Sequence, residues 1–329
     1  MPRGSLPLRF YLPLAVIVLV IGGVFITLPV WLAATHLYWG AALAPAAHDY
    51  TGIAPASCPA GPRSAHPDAA DLRTPGGVPI RVRVPQNYDA TRPHPLLVVF
   101  APAGIGPALN ERFTGLTHEA TAAGFIVAYA GSRGLSQQTI RDLGRVPDSV
   151  SGQYCVDLDR LVYTGHSDGG TVSSALAFLH DLPHHPVAII PSAAGIRGTD
   201  LAQQSCPGPL AVMVLHGERD RLFPGYGREA AQWWAQCNDG GAEPMAMPDD
   251  GCLSWRSATA KAETRYCPHS GRHLDWPQRN GALLAFAREA IEAARESNER
   301  NAATLPSTAA EQHQDTDQGH AQPPGKSAP

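Results

Sequence analysis

Short apolar runs alternate with longer stretches of mixed polarity through the middle of the chain. Most of these runs are nearly continuous in Val, Ile and Leu, which is typical of strands buried on both faces of a parallel sheet. The pattern predicts strands at residues 80–84, 95–100, 125–129, 161–164, 187–190 and 210–215.

The stretches between the predicted strands have the spacing of helices. We predict helices at residues 111–123, 170–180, 228–237 and 280–296, and the last of these carries its large apolar side chains on one broad side. Strands that alternate with helices indicate a doubly wound α/β fold with a mostly parallel sheet.

The chain begins with a long apolar segment. Residues 10–47 contain no Asp, Glu, Lys or Arg, and residues 11–33 are rich in Leu, Val and Ile, enough to cross a bilayer. Pro45 follows the small-residue triplet 42–44, which disfavours cleavage, so we predict an uncleaved signal anchor; secretion after cleavage is the alternative. Arg3 and Arg9 precede the span, which predicts a single-pass cell-membrane protein with its main domain outside the cytoplasm.

Composition divides the chain into four predicted regions. Residues 1–39 form the cytoplasmic N-terminus and transmembrane anchor, and residues 40–75 form an Ala/Pro/Gly-rich tether. Residues 76–296 form one α/β domain, and residues 297–329, which have almost no large apolar side chains, form a disordered polar tail.

Charge and cysteine content narrow the function further. The formal net charge is −4 and no cluster of Lys and Arg occurs, so a nucleic-acid partner is not expected. All cysteines lie in the segment predicted to be exported and none forms a CxxC pair, which favours disulfides over free thiols in a cytosolic enzyme. Six cysteines allow fifteen pairings. They are Cys58, Cys155, Cys206, Cys237, Cys252 and Cys267.

The pentapeptide 165–169, Gly-His-Ser-Asp-Gly, is the most informative motif in the chain. It follows the strand-like run 160–164 and precedes the helix-like run 170–180, which is the context of a nucleophile elbow. Ser167 is therefore the candidate nucleophile, and an ordinary turn serine is the alternative.

A serine nucleophile needs a base and an acid, which in this type of fold follow it in the order acid, then histidine. Asp220 lies in the loop after the predicted strand 210–215 and is the candidate acid. Glu218 is its nearby competitor, and a surface ion pair with Arg219 or Arg221 is the structural alternative for Asp220.

His273 is the candidate base because it lies in a loop before the last helix and is followed by the rigid Trp276 and Pro277. His269 is the rival, and a surface histidine is the structural alternative. Neither an HExxH motif nor Cys/His ligand spacing occurs, so no metal is predicted, and no cofactor is required.

Acyl transfer also requires N–H donors that bind an oxyanion. The residue after the nucleophile usually supplies one, which is Asp168, and the loop after an early strand supplies the second. In that loop Pro102 has no N–H, so Ala103 is the predicted second donor.

These residues resemble the polyhydroxybutyrate depolymerase and feruloyl esterase-like branch of the α/β-hydrolases, over about residues 78–294. The densest match is the run 154–160, Tyr-Cys-Val-Asp-Leu-Asp-Arg, which leads into the elbow 165–170. Further matches are Arg-Phe-Thr-Gly-Leu at 112–116, Gly-Phe-Ile-Val at 124–127, His-Gly at 216–217 before Asp220, and His273 before Trp-Pro.

The resemblance implies the α/β-hydrolase fold, the same Ser, Asp and His, and a secreted serine esterase. Family members act on polyhydroxyalkanoates, feruloylated or acetylated plant polysaccharides, or small esters. It also implies that some cysteines bridge near the site, with Cys155–Cys206 as the predicted pair.

The prediction is an extracytoplasmic serine ester hydrolase that acts on a small-molecule or polymeric ester and is attached to the membrane by its N-terminal anchor. Two departures from the family pattern, Ala101-Pro102 in place of His-Gly and Leu274-Asp275 between His273 and the Trp-Pro pair, alter the loops around the site. The first motivates one alternative, a non-catalytic relative that binds carbohydrate or an envelope component. A peptidase or thioesterase on the same scaffold is the other, because fold and triad do not determine the leaving group.

Overall fold

A computed structural model describes residues 58, 71–256 and 262–304, and the strands among them form one sheet. The strands are β1 (Asp71–Arg73), β2 (Pro79–Arg83), β3 (His94–Phe100), β4 (Ile126–Ala130), β5 (Val156–His166), β6 (Ala188–Ser192), β7 (Ala211–Gly217), β8 (Met245–Met247), β9 (Cys252–Trp255) and β10 (Thr264–His269).

The strands lie in the order β1-β2-β4-β3-β5-β6-β7-β10-β9-β8. The six central strands, from β4 to β10 in that order, are parallel, and antiparallel pairs flank them on both sides. Parallel strands all end at the same edge of the sheet, which we call the carboxyl edge. The loops after β3, β4, β5, β6, β7 and β10 therefore meet there, where open α/β sheets bind their ligands.

Helices connect the parallel strands, as expected for crossover connections. They are α1 (Pro107–Thr114), α2 (Thr117–Ala122), α3 (Gln137–Leu143), α4 (Val146–Ser151), α5 (Asp168–Ala175), α6 (Gly198–Leu201), α7 (Tyr226–Cys237) and α8 (Asn280–Thr304), with a 3₁₀ turn at Leu176–Phe178.

The described residues divide into two units, with the boundary between Ile291 and Glu292. Of the second unit the structure describes residues 292–304, the continuation of α8. Within it Arg295 pairs with Glu292 and Glu299, at the spacings that stabilise an exposed helix.

The core of the first unit lies on both faces of the sheet. Strand β3 contributes to both faces: Leu96, Val98 and Phe100 belong to one buried cluster, and Leu97 and Val99 belong to the other. Successive side chains of a strand point to opposite faces. A strand covered on both faces must be apolar throughout, which explains the continuous runs in the sequence.

The fold confirms the predicted α/β class with its mostly parallel sheet, and all six predicted strands are present within a few residues of their expected positions. Strand β10 was not predicted. It carries a buried Arg265, which breaks the apolar run and whose charge is met by Glu263 and Glu289 at 2.7 and 2.5 Å.

Three predicted boundaries differ from the structure. The helix expected at 111–123 is two helices, because Gly115 takes a left-handed conformation (φ 60°) that ends α1. The last helix continues beyond Glu296 to Thr304, into the region expected to be disordered. Strand β1 lies within the segment 40–75 expected to be a tether, where it pairs with β2.

The predicted anchor at residues 1–39 lies outside the described residues, as do nearly all of the tether and residues 305–329 of the predicted tail. Within the part of the chain that is described, no helix combines the length and hydropathy needed to cross a membrane.

The six cysteines form three disulfides, Cys58–Cys155, Cys206–Cys237 and Cys252–Cys267. The predicted Cys155–Cys206 pair is therefore wrong. Cys155 leads into β5, whereas Cys206 lies in the segment before β7, two strands away in the sheet. Neighbouring strands are about 4.8 Å apart, so the distance from β5 across β6 to β7 exceeds the usual separation of the two Cα atoms in a disulfide. The three disulfides indicate an oxidising, extracytoplasmic environment.

Candidate active site

Ser167 lies at the carboxyl edge on the sharp turn between β5 and α5. Its backbone has φ 54° and ψ −115°, a strained conformation for a residue with a side chain. Gly169, two residues later, lies so close to the end of β3 that a Cβ atom there would overlap the Phe100 carbonyl oxygen. The glycine therefore allows the tight approach that presents the serine hydroxyl at the edge of the sheet.

The structure brings the predicted acid and base to this serine. Ser167 Oγ lies 2.9 Å from His273 Nε2, and His273 Nδ1 lies 2.8 Å from Asp220 Oδ2. The three residues follow β5, β7 and β10, so sequence positions more than 50 residues apart meet because these strands end at one edge. The Asp220 carboxylate is fully buried and the His273 side chain is 11% exposed.

The loop after β7 stabilises Asp220 as a carboxylate. Burial by itself would raise the pKa of Asp220, but the Phe223 and Leu222 N–H groups donate to Oδ1 and His273 donates to Oδ2. Together these hydrogen bonds outweigh burial and hold the pKa of Asp220 below its usual value. The carboxylate is thus available as a permanent acceptor for His273.

These partners determine which nitrogen of His273 carries the proton. A carboxylate accepts a hydrogen bond, so Nδ1 donates to Asp220 and, in the neutral ring, Nε2 is left as the acceptor. Ser167 Oγ then donates to Nε2. This arrangement is suited to removing the serine proton.

His166, which was not predicted as a site residue, holds the loop of His273. Its Nε2 donates to the His273 carbonyl oxygen at 2.6 Å, and its Nδ1 accepts from Ser192 Oγ at 3.0 Å. The ring is enclosed by Phe113 and Trp276, with centroids 5.1 and 6.0 Å away. Burial lowers the pKa of His166 to about 4, so the ring is neutral at physiological pH.

Phe223 packs beside the candidate base, with its ring edge-on to His273 at a centroid distance of 5.0 Å. Its carbonyl oxygen accepts a hydrogen bond from His216 Nε2 at 2.9 Å. His216 is buried beneath the Asp220 loop and was noted in the sequence only as part of the His-Gly pair. The sequence places His166 next to the candidate nucleophile and His216 four residues before the candidate acid, and this proximity was the available signal. The hydrogen bonds that these two histidines form could not be read from the sequence, because they depend on the fold.

The two predicted oxyanion donors occupy adjacent elements. Asp168 is the first residue of α5, where the backbone N–H has no acceptor within the helix. Ala103 is exposed in a turn closed by a hydrogen bond from the Ile105 N–H to the Pro102 carbonyl at 3.3 Å. Asn110 on α1 donates to the Val99 carbonyl at 2.9 Å, which fixes the helix that follows this turn against β3.

The rivals of the predicted triad take other places. Glu218 is exposed, and its N–H donates to the His269 carbonyl. His269 Nδ1 accepts from the Gly271 N–H at 3.1 Å. Arg219 donates to the Ser270 carbonyl, so these residues brace the two loops that carry Asp220 and His273.

No protein-family model matches the chain. Among curated proteins, a probable feruloyl esterase C from Aspergillus oryzae is 26% identical over 153 residues, which are 44% of this chain and 55% of the relative. The chain thus spans about half the length of the curated relative that it matches. This relative supports the esterase part of the resemblance and not the polyhydroxybutyrate depolymerase part.

Several solved structures of esterases and hydrolases are similar to part of this chain. An acetyl xylan esterase from Aspergillus awamori is 15% identical, with a TM-score of 0.49 over 65% of this chain and 96% of that one. A ferulic acid esterase from Anaeromyces mucronatus is 11% identical, with a TM-score of 0.44 over 72% and 97%. An S-formylglutathione hydrolase from Staphylococcus aureus is 12% identical, with a TM-score of 0.47 over 68% and 97%.

Proposed function

We propose that this protein is an extracytoplasmic serine ester hydrolase. The observation that carries the proposal is the continuous hydrogen-bond path from Ser167 through His273 to the buried Asp220, with the serine on a strained strand-to-helix turn. A path of this kind is needed to activate a hydroxyl that is otherwise a weak nucleophile.

In the proposed mechanism, Ser167 Oγ attacks the ester carbonyl carbon while His273 Nε2 takes the hydroxyl proton. Asp220 stabilises the imidazolium that forms and keeps its orientation. The carbonyl bond re-forms as the alcohol leaves, and the alkoxide takes the proton from His273. Water, activated by the same Nε2, then attacks the acyl-enzyme and releases the acid and the free serine.

The negative charge of each tetrahedral intermediate is proposed to be bound by the backbone N–H groups of Asp168 and Ala103. Asp168 is favoured because it follows the nucleophile and begins α5, whose N-terminus attracts negative charge. Ala103 is favoured because its loop continues from the end of β3, the strand that Gly169 contacts.

The substrate class is proposed to be a small-molecule or polymeric carboxylic ester, and feruloyl esters are favoured by the similarity to a probable feruloyl esterase. Acetyl esters are proposed from the sequence resemblance alone. The three disulfides support a place outside the cytoplasm. Membrane attachment through residues 1–39 rests on the sequence pattern alone.

The test is hydrolysis of p-nitrophenyl acetate, butyrate and octanoate by the full chain, together with a fluorophosphonate label. We expect turnover and labelling in the wild type and the loss of both in Ser167→Ala, with a fall in kcat of about 10⁶-fold, because no other group on the path can attack the ester. Ser149→Ala, a change of the same chemistry on α4, is the control and should keep both. Activity that survives Ser167→Ala would contradict the proposal.

A further inference from the structure

The loops of the carboxyl edge are basic although the chain as a whole is acidic. Together they carry six arginines and no lysine against three carboxylates, whereas the net charge of the chain is −4. Of the carboxylates, Asp220 is committed to His273 and Asp275 lies 3.5 Å from Arg272. The arginines are Arg133, Arg197, Arg219, Arg221, Arg272 and Arg279. Such an edge attracts negatively charged ligands.

Among these arginines, Arg197 in the loop after β6 is held by an aromatic partner. Its Nε donates to the Tyr226 hydroxyl at 2.5 Å, and its guanidinium carbon lies 5.0 Å from the centre of the Tyr226 ring. The Asp200 carboxylate accepts from the Arg197 backbone N–H at 3.0 Å, but within the described residues no carboxylate forms an ion pair with the Arg197 guanidinium. The guanidinium is thus oriented by a neutral group, while its two terminal nitrogens remain available to donate.

A chain of ring contacts connects Arg197 to the candidate base. Tyr226 stacks on Phe223 with centroids 5.4 Å apart, and Phe223 packs edge-on against His273 at 5.0 Å. Two aromatic rings therefore lie between the guanidinium and the candidate base His273. A substrate group that reaches it must be separated from the ester by a spacer.

The loop of Arg197 is also tied to the elbow itself. The Gly195 N–H donates to Thr171 Oγ1 at 3.0 Å, and Thr171 Oγ1 donates to the Ser167 carbonyl at 3.2 Å. A Cβ atom at Gly195 would lie only 2.9 Å from the Phe223 ring, so the loop is packed tightly between α5 and this ring. This packing limits how far Arg197 moves relative to the nucleophile.

We propose that Arg197, oriented by Tyr226, binds a carboxylate carried by the substrate, so that the preferred substrate is an acidic ester. The planar fork of a guanidinium matches the two oxygens of a carboxylate and donates two parallel hydrogen bonds. The inference rests on the proposed esterase function and adds the charge of its substrate. The carboxylate belongs to the acyl part, as in a dicarboxylic half-ester, or to the alcohol part, as in an acidic sugar.

Two sets of matched substrates test the inference and distinguish these sources. On the acyl side, p-nitrophenyl half-esters of succinic, adipic, suberic and sebacic acids are compared with p-nitrophenyl alkanoates of equal length. On the alcohol side, 4-acetoxybenzoate is compared with its methyl ester. We expect kcat/KM to favour the carboxylate by about tenfold in at least one set. A ratio near one in both sets, with the neutral esters cleaved, would overturn the inference and leave the esterase function intact.

Variants distinguish a specific contact between Arg197 and the substrate carboxylate from the general electrostatic field of the carboxyl edge. Arg197→Gln should bring the ratio of charged to neutral kcat/KM to about one, and Tyr226→Phe should lower it although the charge is kept. Arg221→Gln removes the same charge from the same edge and should retain the ratio. An equal loss in Arg221→Gln and Arg197→Gln would assign the preference to the field and contradict the subsite. Failure to cleave any ester would instead reject the proposed function, and this inference with it.

Discussion

At the scale of single residues, the site depends on histidines that stay neutral. His166 donates to the His273 carbonyl through Nε2 and accepts from Ser192 through Nδ1. A protonated ring would have to donate from both nitrogens and would carry an unpaired charge in a buried position. Burial of that charge lowers the pKa of His166 to about 4, although the hydrogen bond to the His273 carbonyl acts in the opposite direction.

His166 should therefore make stability depend on pH. The unfolded chain has a histidine pKa near 6.5, so it binds more protons than the folded protein between about pH 6.5 and 4. Stability is complete above this window and is lost as the pH falls through it, by about 3 kcal/mol from this residue. His166→Gln keeps a donor for the His273 carbonyl but cannot titrate, so its unfolding free energy should fall less on acidification.

Urea unfolding at pH 7 and pH 4.5 measures this difference. The exposed His118→Gln is the matched control and should retain the wild-type dependence on pH. Burial also lowers the pKa values of His216 and His94, so part of the slope should remain in His166→Gln. If the free energy of unfolding changed equally with pH in the wild type and in His166→Gln, the buried His166 ring would not be the source of the pH dependence.

At the scale of elements, the position of the candidate nucleophile Ser167 depends on how closely α5 approaches β3 and β6. A Cβ atom at Gly169 would overlap the Phe100 carbonyl oxygen of β3, and one at Gly170 would lie 2.5 Å from the Ser192 carbonyl oxygen of β6. Both neighbours are backbone atoms of central strands, which cannot move without disturbing the sheet. The small residues of the motif thus set the distance between Ser167 and the strands beneath it.

Gly169→Ala tests this packing. The added methyl group would overlap the Phe100 carbonyl, so the elbow must shift. We expect a loss of about 2 kcal/mol in the free energy of unfolding and a fall of about a hundredfold in kcat, since a small displacement of the nucleophile has a large effect on rate. Thermal unfolding and p-nitrophenyl acetate turnover measure the two effects.

Gly134→Ala is the control for this substitution. Gly134 lies in a loop at the same edge, and a Cβ atom there would meet no other atom within 4 Å. It should behave as the wild type in both measurements. Wild-type kcat in Gly169→Ala would mean that the elbow has room which the structure does not show.

At the scale of the whole molecule, three disulfides close loops of very different length. Cys58–Cys155 spans 97 residues, Cys206–Cys237 spans 31 and Cys252–Cys267 spans 15. None of the six cysteines belongs to the path from Ser167 to Asp220. Moreover, β10 is paired along its whole length with β7, which positions the His273 loop independently of Cys267. The disulfides are thus expected to act on stability and not on the geometry of the site.

Removing each disulfide by a double Cys→Ser change tests this separation. If a disulfide acts mainly by restricting the unfolded chain, the losses should be about 4.7, 3.7 and 3 kcal/mol for the long, middle and short loops. Thermal unfolding should show Tm falling in that order, while kcat on p-nitrophenyl acetate at 25 °C stays within about twofold. A Tm that falls most when the Cys252–Cys267 disulfide is removed would contradict this account. A loss of kcat in that variant alone would also contradict it.

The sequence by itself determined the class of fold and the candidate triad. Both depend on local signals: continuous apolar runs mark strands buried on both faces, and a strand, a Gly-His-Ser-Asp-Gly turn and a helix mark the elbow. Asp220 and His273 were found through their order along the chain and their places after strand 210–215 and before the last helix.

Only the tertiary structure decided which distant groups meet. The cysteine pairing, the role of His166 and the orientation of Arg197 by Tyr226 all depend on strand order across the sheet, and the Cys155–Cys206 prediction failed for this reason. Strand β10 could not be predicted from an apolar run, because it contains Arg265. This side chain is buried because Glu263 and Glu289 form ion pairs with it. A local sequence pattern indicates which side chains of a segment are buried. Which segments then become neighbours in the sheet depends on packing over the whole domain.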